Sequence, residues 1–260
     1  MRKPTNEAEY RAYKALNAST LKATLKHSYW KAITPMEPTP AMVFGTAVHC
    51  SILEPELFNS RYACFSLDRR TKAGKETWAT LMSTGVEPLA KKDWDRIQGI
   101  VDQVDSYPEL AFINNPQTMK EFPLVFDMWD THCKALIDCY DPETGILWDV
   151  KTIADITKAE RQYWDLAYDV QMTFYTMALE ANGHTVNEIR VLWLETQEPY
   201  TVGVSELSDD AILSGHARMA QAFDKWKEQK DLPHPEYRVT KLTPPSYLYV
   251  DPEDIFNGEQ

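Results

Sequence analysis

The order of apolar patterns in this 260-residue chain predicts an α/β (α+β) protein with a mixed central sheet flanked by helices. Two observations carry that expectation. Three short β-type runs, EFPLVFDMWD, HCKALIDCY and GILWDVKT, follow one another from about Lys120 and read as an antiparallel meander. Segments with helical periodicity stand before and after them, and no stretch has the composition of a linker. The expected organisation is one domain over 1–260, with a mostly helical, basic portion (1–118), a core of sheet and helix (119–207), and a C-terminal helix and tail (208–260).

Residues 6–33 read as helix interrupted near Leu16–Ser19. Asn17 or Ser19 is a fair N-cap, and Leu21, Leu25 and Tyr29 recur at i, i+4 spacing. Lys22, Lys26 and Lys31 fall mainly on another face. TPMEPTP (34–40) holds three prolines in seven residues and is a loop. Met42–Leu53 is apolar and helical in pattern, with His49 inside it and Gly45 one turn earlier, where a missing side chain admits a neighbouring backbone or ligand. A histidine on such a helix is more often a hydrogen-bonded core residue than a ligand. The segment DRRTKAGK (68–75) is polar and basic, and its composition predicts an exposed, mobile loop. Lys91–Tyr107 is an amphipathic helix built on Trp94, Ile97, Val101 and Val104.

After the meander, Thr157 reads as an N-cap and Gly183 as a helix stop, with a break near Tyr168; Gln171 and Tyr175 share one face. EIRVLWLET and YTVGVSEL are two further strands, and Ser208 or Asp209 caps a last helix to about Lys230. The Pro-rich tail reads as irregular, with enough Tyr, Leu and Phe to pack.

Composition narrows the function classes. No apolar run is long enough to span a bilayer, and the N-terminus lacks the apolar segment of a signal peptide, so the expected location is cytoplasmic. Cys50, Cys64, Cys133 and Cys139 fit neither a zinc spacing nor a disulfide framework. The net charge of −12 is unevenly divided: residues 1–100 carry 15 Lys/Arg against 10 Asp/Glu, and the rest carry 12 against 29. An acidic protein with a basic portion can confine nucleic acid to one groove. Arg69, Arg70, Lys72 and Lys75 are candidate phosphate contacts, with Lys22 and Lys26 beside them; a plain solvated charge run is the competing reading.

The chemistry concentrates in KALIDCYDPETGILWDVK (134–151). Asp149 and Lys151 are two apart and leave one face of a strand, with Asp138 across the hairpin. Two carboxylates and the Val150 carbonyl suffice to hold Mg²⁺. Lys151 beside it would orient or deprotonate a water, or neutralise charge in the transition state. The alternative is an exposed ion pair of little consequence, but Ile146, Leu147, Trp148 and Ile153 give the pair an apolar setting.

Asp138, Asp149-Val150-Lys151 and Gln171-x-x-x-Tyr175 together resemble the PD-(D/E)xK nuclease superfamily, whose core is restriction-endonuclease-like. LNASTLKA, FGTAVHCSILEPELF, DRRTKAGKETW and LIDCYDPETG with WDVKT resemble its exonuclease VIII (RecE) group of phage recombination exonucleases, over about Asn17 to Leu207. The resemblance implies a metal-dependent exonuclease that degrades one strand of linear duplex DNA 5′→3′ and leaves a 3′ tail for a single-strand annealing protein. It implies a ring-shaped homo-oligomer threaded by DNA ends. By position, His49 joins Asp138 and Asp149 at Mg²⁺ (or Mn²⁺ as substitute), Glu121 is an added metal-shell carboxylate, Lys151 is catalytic, and Gln171 and Tyr175 line the site. The basic loop becomes a flap at the duplex entrance. Ile137 stands where the pattern often has proline, and Asp149 where it often has Glu. With no cysteine after Cys139, an iron–sulfur cluster is not expected. A silent DNA-end binder of the same fold and an endonuclease are the competing functions.

Overall fold

The computed structural model describes residues 3–235 and 241–242; most of the Pro-rich tail discussed above lies outside the described residues. Its centre is a five-stranded mixed sheet of β3 (Met119–Met128), β4 (Thr131–Asp141), β5 (Ile146–Ile153), β6 (Glu188–Glu195) and β7 (Val202–Glu206), paired in that order. β3, β4 and β5 form the expected antiparallel meander, β6 runs parallel to β5, and β7 returns antiparallel on the edge. Trp129 and Asp130, both at positive φ, make the two-residue β3–β4 turn. Gly145, also at positive φ, ends the β4–β5 loop, where a Cβ would stand 2.5 Å from the Asn187 amide.

Alternation along β6 shows how the sheet is sandwiched. Ile189, Val191 and Trp193 join a core formed with α2 (Ala18–Lys26), α9 (Tyr168–Ala181) and α10 (Asp209–Gln229). Leu192 and Leu194 join a second core with α4 (Pro40–Leu53), α5 (Pro55–Arg61) and α7 (Lys91–Asp105). The fully buried Leu21, Phe174 and Trp193 anchor the first layer; each large side chain removed from water contributes roughly 1.5–3 kcal/mol.

The N-terminal helical stretch is three pieces: α1 (Glu7–Ala12), α2, and α3 (Tyr29–Ile33). Asn6, Asn17 and Ser28 each accept a backbone N–H at the start of one piece. Ser208 caps α10 through the Ala211 N–H, and Gly183 leaves α9 at φ +86. α9 begins after Ala167, at φ +52, where the helical pattern breaks.

Two expectations are corrected and one pair of strands is added. Residues 68–75 are not wholly a loop: Thr71 accepts the Gly74 N–H and starts α6 (Lys72–Ser83). Gly74 is needed there because a Cβ would fall 2.1 Å from the Asp68 carbonyl oxygen. Thr157 is not an N-cap; Asp155 caps a short 3₁₀ turn (Ile156–Lys158), and α8 (Ala159–Asp165) follows. Two four-residue strands, β1 (Tyr62–Phe65) and β2 (Glu87–Ala90), pair in parallel on either side of α6 and were not anticipated. Among the described residues no helix is long and apolar enough to cross a membrane.

Candidate active site

The β4–β5 ladder opens at one point. Cys139 pairs with Trp148, but the next positions inward, Asp138 and Asp149, do not pair through their backbones. Instead the Asp138 carboxylate accepts the Val150 N–H at 3.0 Å, so a side chain replaces a ladder bond and holds the strands apart. Into this gap both helical layers send side chains: His49 comes from α4, and Lys22 and Gln171 from α2 and α9. Gly45 allows α4 its approach, since a Cβ there would meet Thr152 Oγ1 of β5 at 3.2 Å.

His49 Nε2 lies 2.7 Å from the Val150 carbonyl oxygen and 3.5 Å from Asp138 Oδ2, while Nδ1 meets Glu121 Oε1 at 3.2 Å. One ligand atom each from His49, Glu121 and Asp138 lie within 4.8 Å of one another. Burial opposes charging the imidazole, but Asp138 and Glu121 outweigh it and push His49 up to about 9. Glu121 sits in β3 at φ +44, a conformation that costs a non-glycine residue roughly 1–3 kcal/mol. Such strain inside a strand persists where the side chain has a job, and here that side chain is the one holding His49.

Asp149 is fully buried, hydrogen-bonded through one oxygen and ion-paired through the other. Its Oδ1 accepts Gln171 Nε2 at 2.8 Å, and its Oδ2 faces Lys151 Nζ at 2.6 Å. The latter contact is a close ion pair, and Oδ2 has no further partner among the described residues. Lys151 Nζ also lies 3.8 Å from Asp138 Oδ2 and donates to the Val150 carbonyl at 3.2 Å. Burial, with Asp138 nearby, pushes Asp149 up to about 6 despite Lys151. Burial would lower Lys151, but Asp149 and Asp138 hold it above its usual value. One ammonium thus bridges two carboxylates.

These donors fit a divalent cation. Carboxylate oxygens of Asp138 and Glu121, an imidazole nitrogen of His49 and the Val150 carbonyl converge, a set of hard oxygen donors with one nitrogen, while Asp149 lies outside this cluster and faces Lys151. Glu121 on Nδ1 stands where an acid orients a ligating histidine.

Tyr175, half-buried on α9, has Asp138, Asp149, Tyr10 and Glu121 around it; burial first, then those charges, hold its phenol well above the usual range. Lys22, a candidate DNA contact from the sequence, donates to Gln171 Oε1 at 2.5 Å. Burial and the Lys151 charge lower it to about 8. Tyr168, which the sequence did not single out, has Lys22 Nζ 4.6 Å and Lys151 Nζ 5.0 Å from its ring centroid. The available signal was an aromatic residue one turn before Gln171, at the helix break.

The other basic candidates do not join this cluster. Lys26 is exposed. Arg69 stacks on Trp78 at 3.7 Å, Arg70 pairs with Asp68, and Lys72 lies 3.9 Å from Glu76. These three and Lys75 are exposed, on the loop before α6 and on its first turn.

A mixed sheet whose opened hairpin carries Asp138, Asp149 and Lys151 defines the class as PD-(D/E)xK-like. The family model described as a PDDEXK-like domain of unknown function (DUF3799) matches residues 10–237, and the chain belongs to that family. A solved structure described as a "Putative exonuclease" from Eubacterium rectale is similar, with a TM-score of 0.62 at 15% identity over 96% of each chain. A phage related exonuclease from Haemophilus somnus 129PT is 13% identical over 84% of this chain and 96% of its own, at a TM-score of 0.35, too low to add weight. The likeness to the Eubacterium rectale protein is one of fold. No curated protein sequence matches this chain.

Proposed function

We propose that the protein is a metal-dependent exodeoxyribonuclease that degrades one strand of linear duplex DNA 5′→3′ in the cytoplasm. One observation carries the hydrolytic reading: His49 Nε2, Asp138 Oδ2 and the Val150 carbonyl converge, and the Lys151 ammonium lies against both Asp138 and the buried Asp149. His49, Asp138, Asp149 and the Val150 carbonyl would hold Mg²⁺ or Mn²⁺, with Glu121 acting through His49. Bound there, the cation supplies Lewis acidity to the phosphoryl oxygen and acidifies water.

In the hydrolysis a water oxygen bonds to phosphorus and gives up a proton, the bond from phosphorus to the leaving oxygen breaks, and that oxygen takes up a proton from solvent. Lys151 is kept charged by Asp149 and Asp138, so it offers a fixed ammonium to the negative charge that grows on the phosphate. Gln171 holds Asp149 Oδ1, and Tyr175 walls the site from α9. The basic residues Arg69, Arg70, Lys72 and Lys75 would meet DNA phosphates as duplex approaches, with Lys26. Polarity, a ring-shaped homo-oligomer and a single-strand annealing partner are supported by the motif resemblance, not by the geometry.

The test is substitution with binding measured separately. Lys151→Ala and Asp138→Asn should abolish hydrolysis of linear duplex while leaving duplex affinity largely intact. Cleavage retained in either variant would remove these residues from the reaction.

A further inference from the structure

We propose that Lys22 is a positioning residue of the hydrolytic centre, fixing the side-chain amide of Gln171 in the orientation that donates to Asp149. The inference rests on the nuclease reading and adds a residue that acts through another. It starts from the chemistry of an amide, which has an acceptor at one end and a donor at the other. Lys22 can only donate and an ionised Asp149 can only accept. The observed arrangement satisfies both: Lys22 Nζ to Gln171 Oε1 at 2.5 Å, and Gln171 Nε2 to Asp149 Oδ1 at 2.8 Å. Turning the amide over would set donor against donor and acceptor against acceptor, breaking both bonds at once. Without Lys22 the same turn breaks only one.

The consequence reaches the reacting groups. With Oδ1 committed to Gln171, the other Asp149 oxygen is directed at Lys151 Nζ, 2.6 Å away. Lys22 is itself well fixed. It follows the fully buried Leu21 on α2, whose start is tied by Asn17 accepting the Thr20 N–H at 2.8 Å. Its ammonium lies over the Tyr168 ring that also receives Lys151. A residue meant only to touch a DNA backbone has no need of such a setting; Lys26, one turn later and exposed, has the placement for that task.

The test uses the full chain, with Lys22→Met and Lys22→Arg. Steady-state hydrolysis of a linear duplex in Mg²⁺ gives kcat and KM, and the protein labelled with ¹⁵N-glutamine reports the Gln171 side-chain amide in the absence of metal. Lys22→Met should lower kcat by about tenfold or more with KM within about threefold, the loss expected for one charge-assisted hydrogen bond. It should also shift the Gln171 amide signal from its carboxylate-bonded position. Lys22→Arg, again a pure donor, should keep the signal and most of kcat. A Lys22→Met effect on KM alone would make Lys22 a DNA contact and overturn the proposal. So would an unmoved Gln171 signal in Lys22→Met, or a Lys22→Arg variant that keeps the signal yet loses as much kcat. If the wild-type protein hydrolyses no DNA, the nuclease reading fails, while the amide signal still decides whether Lys22 orients Gln171.

Discussion

Replacing Asp149 by asparagine should separate the stability of this site from its chemistry. In the metal-free protein, burial raises Asp149 from 3.8 to about 6. The unfolded chain binds a proton at this carboxyl only below about 3.9, so between pH 4 and 6 the folded state holds the proton and the unfolded state does not. A carboxyl raised on folding contributes stability that is present below its unfolded pKa and lost as pH rises through the folded one. The loss approaches about 1.4 kcal/mol per pH unit and totals about 3 kcal/mol by pH 7. Asparagine has nearly the same shape and no such titration. Urea unfolding in EDTA, at half-unit steps from pH 4.5 to 8, should therefore show Asp149→Asn gaining on the wild type by about 2 kcal/mol across this range, the part of the total that lies above pH 4.5, then levelling above pH 7. Hydrolysis by the same variant should fall about a thousandfold or more. A stability difference that stays flat, or that falls with pH, would refute the account of Asp149 as a carboxylate held against its own burial.

Other outcomes follow from the same geometry. His49→Ala should weaken Mn²⁺ binding by at least about tenfold, and Glu121→Gln by about tenfold through the freed imidazole, as read by calorimetry; unchanged affinities would move the cation elsewhere. Because Asp138 and Glu121 overcome burial to hold His49 up to about 9, its proton must leave for metal to bind, so affinity should rise from pH 6 to 9 with proton release. Titrations in two buffers of different ionisation heat count that proton, and a pH-independent affinity would contradict it. Gly45→Val, built 3.2 Å from Thr152 Oγ1, should destabilise the fold by about 1–3 kcal/mol and weaken Mn²⁺ binding by displacing His49; a neutral result would show that α4 has room to move. Arg69, Arg70 and Lys72 changed together to alanine should flatten the salt slope of duplex binding by about 2–3; an unchanged slope returns them to solvated surface.

Much of the fold was legible because its strongest signals are periodic. β3 to β7 and α10 stand where alternation and capping placed them, with Ser208 and Gly183 in the expected roles. The hairpin carrying Asp138, Asp149 and Lys151 was visible for the same reason: a period of two puts Asp149 and Lys151 on one face whatever surrounds them. β1 and β2 were not, since four residues carry too little alternation to stand out. The basic stretch at 68–75 misled because composition suggested a loop, while its cap at Thr71 and the close fit of Gly74 against Asp68 are three-dimensional facts. The left-handed backbone of Glu121 has no sequence sign, because nothing in EFPLVF marks its first residue as strained. The contact of Lys22 with Gln171 was hidden for a related reason. A lysine on an amphipathic helix reads as surface until the packing of α2 on α9 turns it toward Gln171.

The central claim is that Asp138, Asp149 and Lys151 hydrolyse DNA from its ends. Timed digestion of linear duplexes labelled on one 5′ end or one 3′ end, beside a covalently closed circle, with Mg²⁺ and with EDTA, tests it most directly. The account predicts early release of the 5′ label, a persisting 3′-labelled strand, an untouched circle, and no reaction in EDTA. Cleavage of the circle, or no hydrolysis of linear DNA in Mg²⁺, would contradict it.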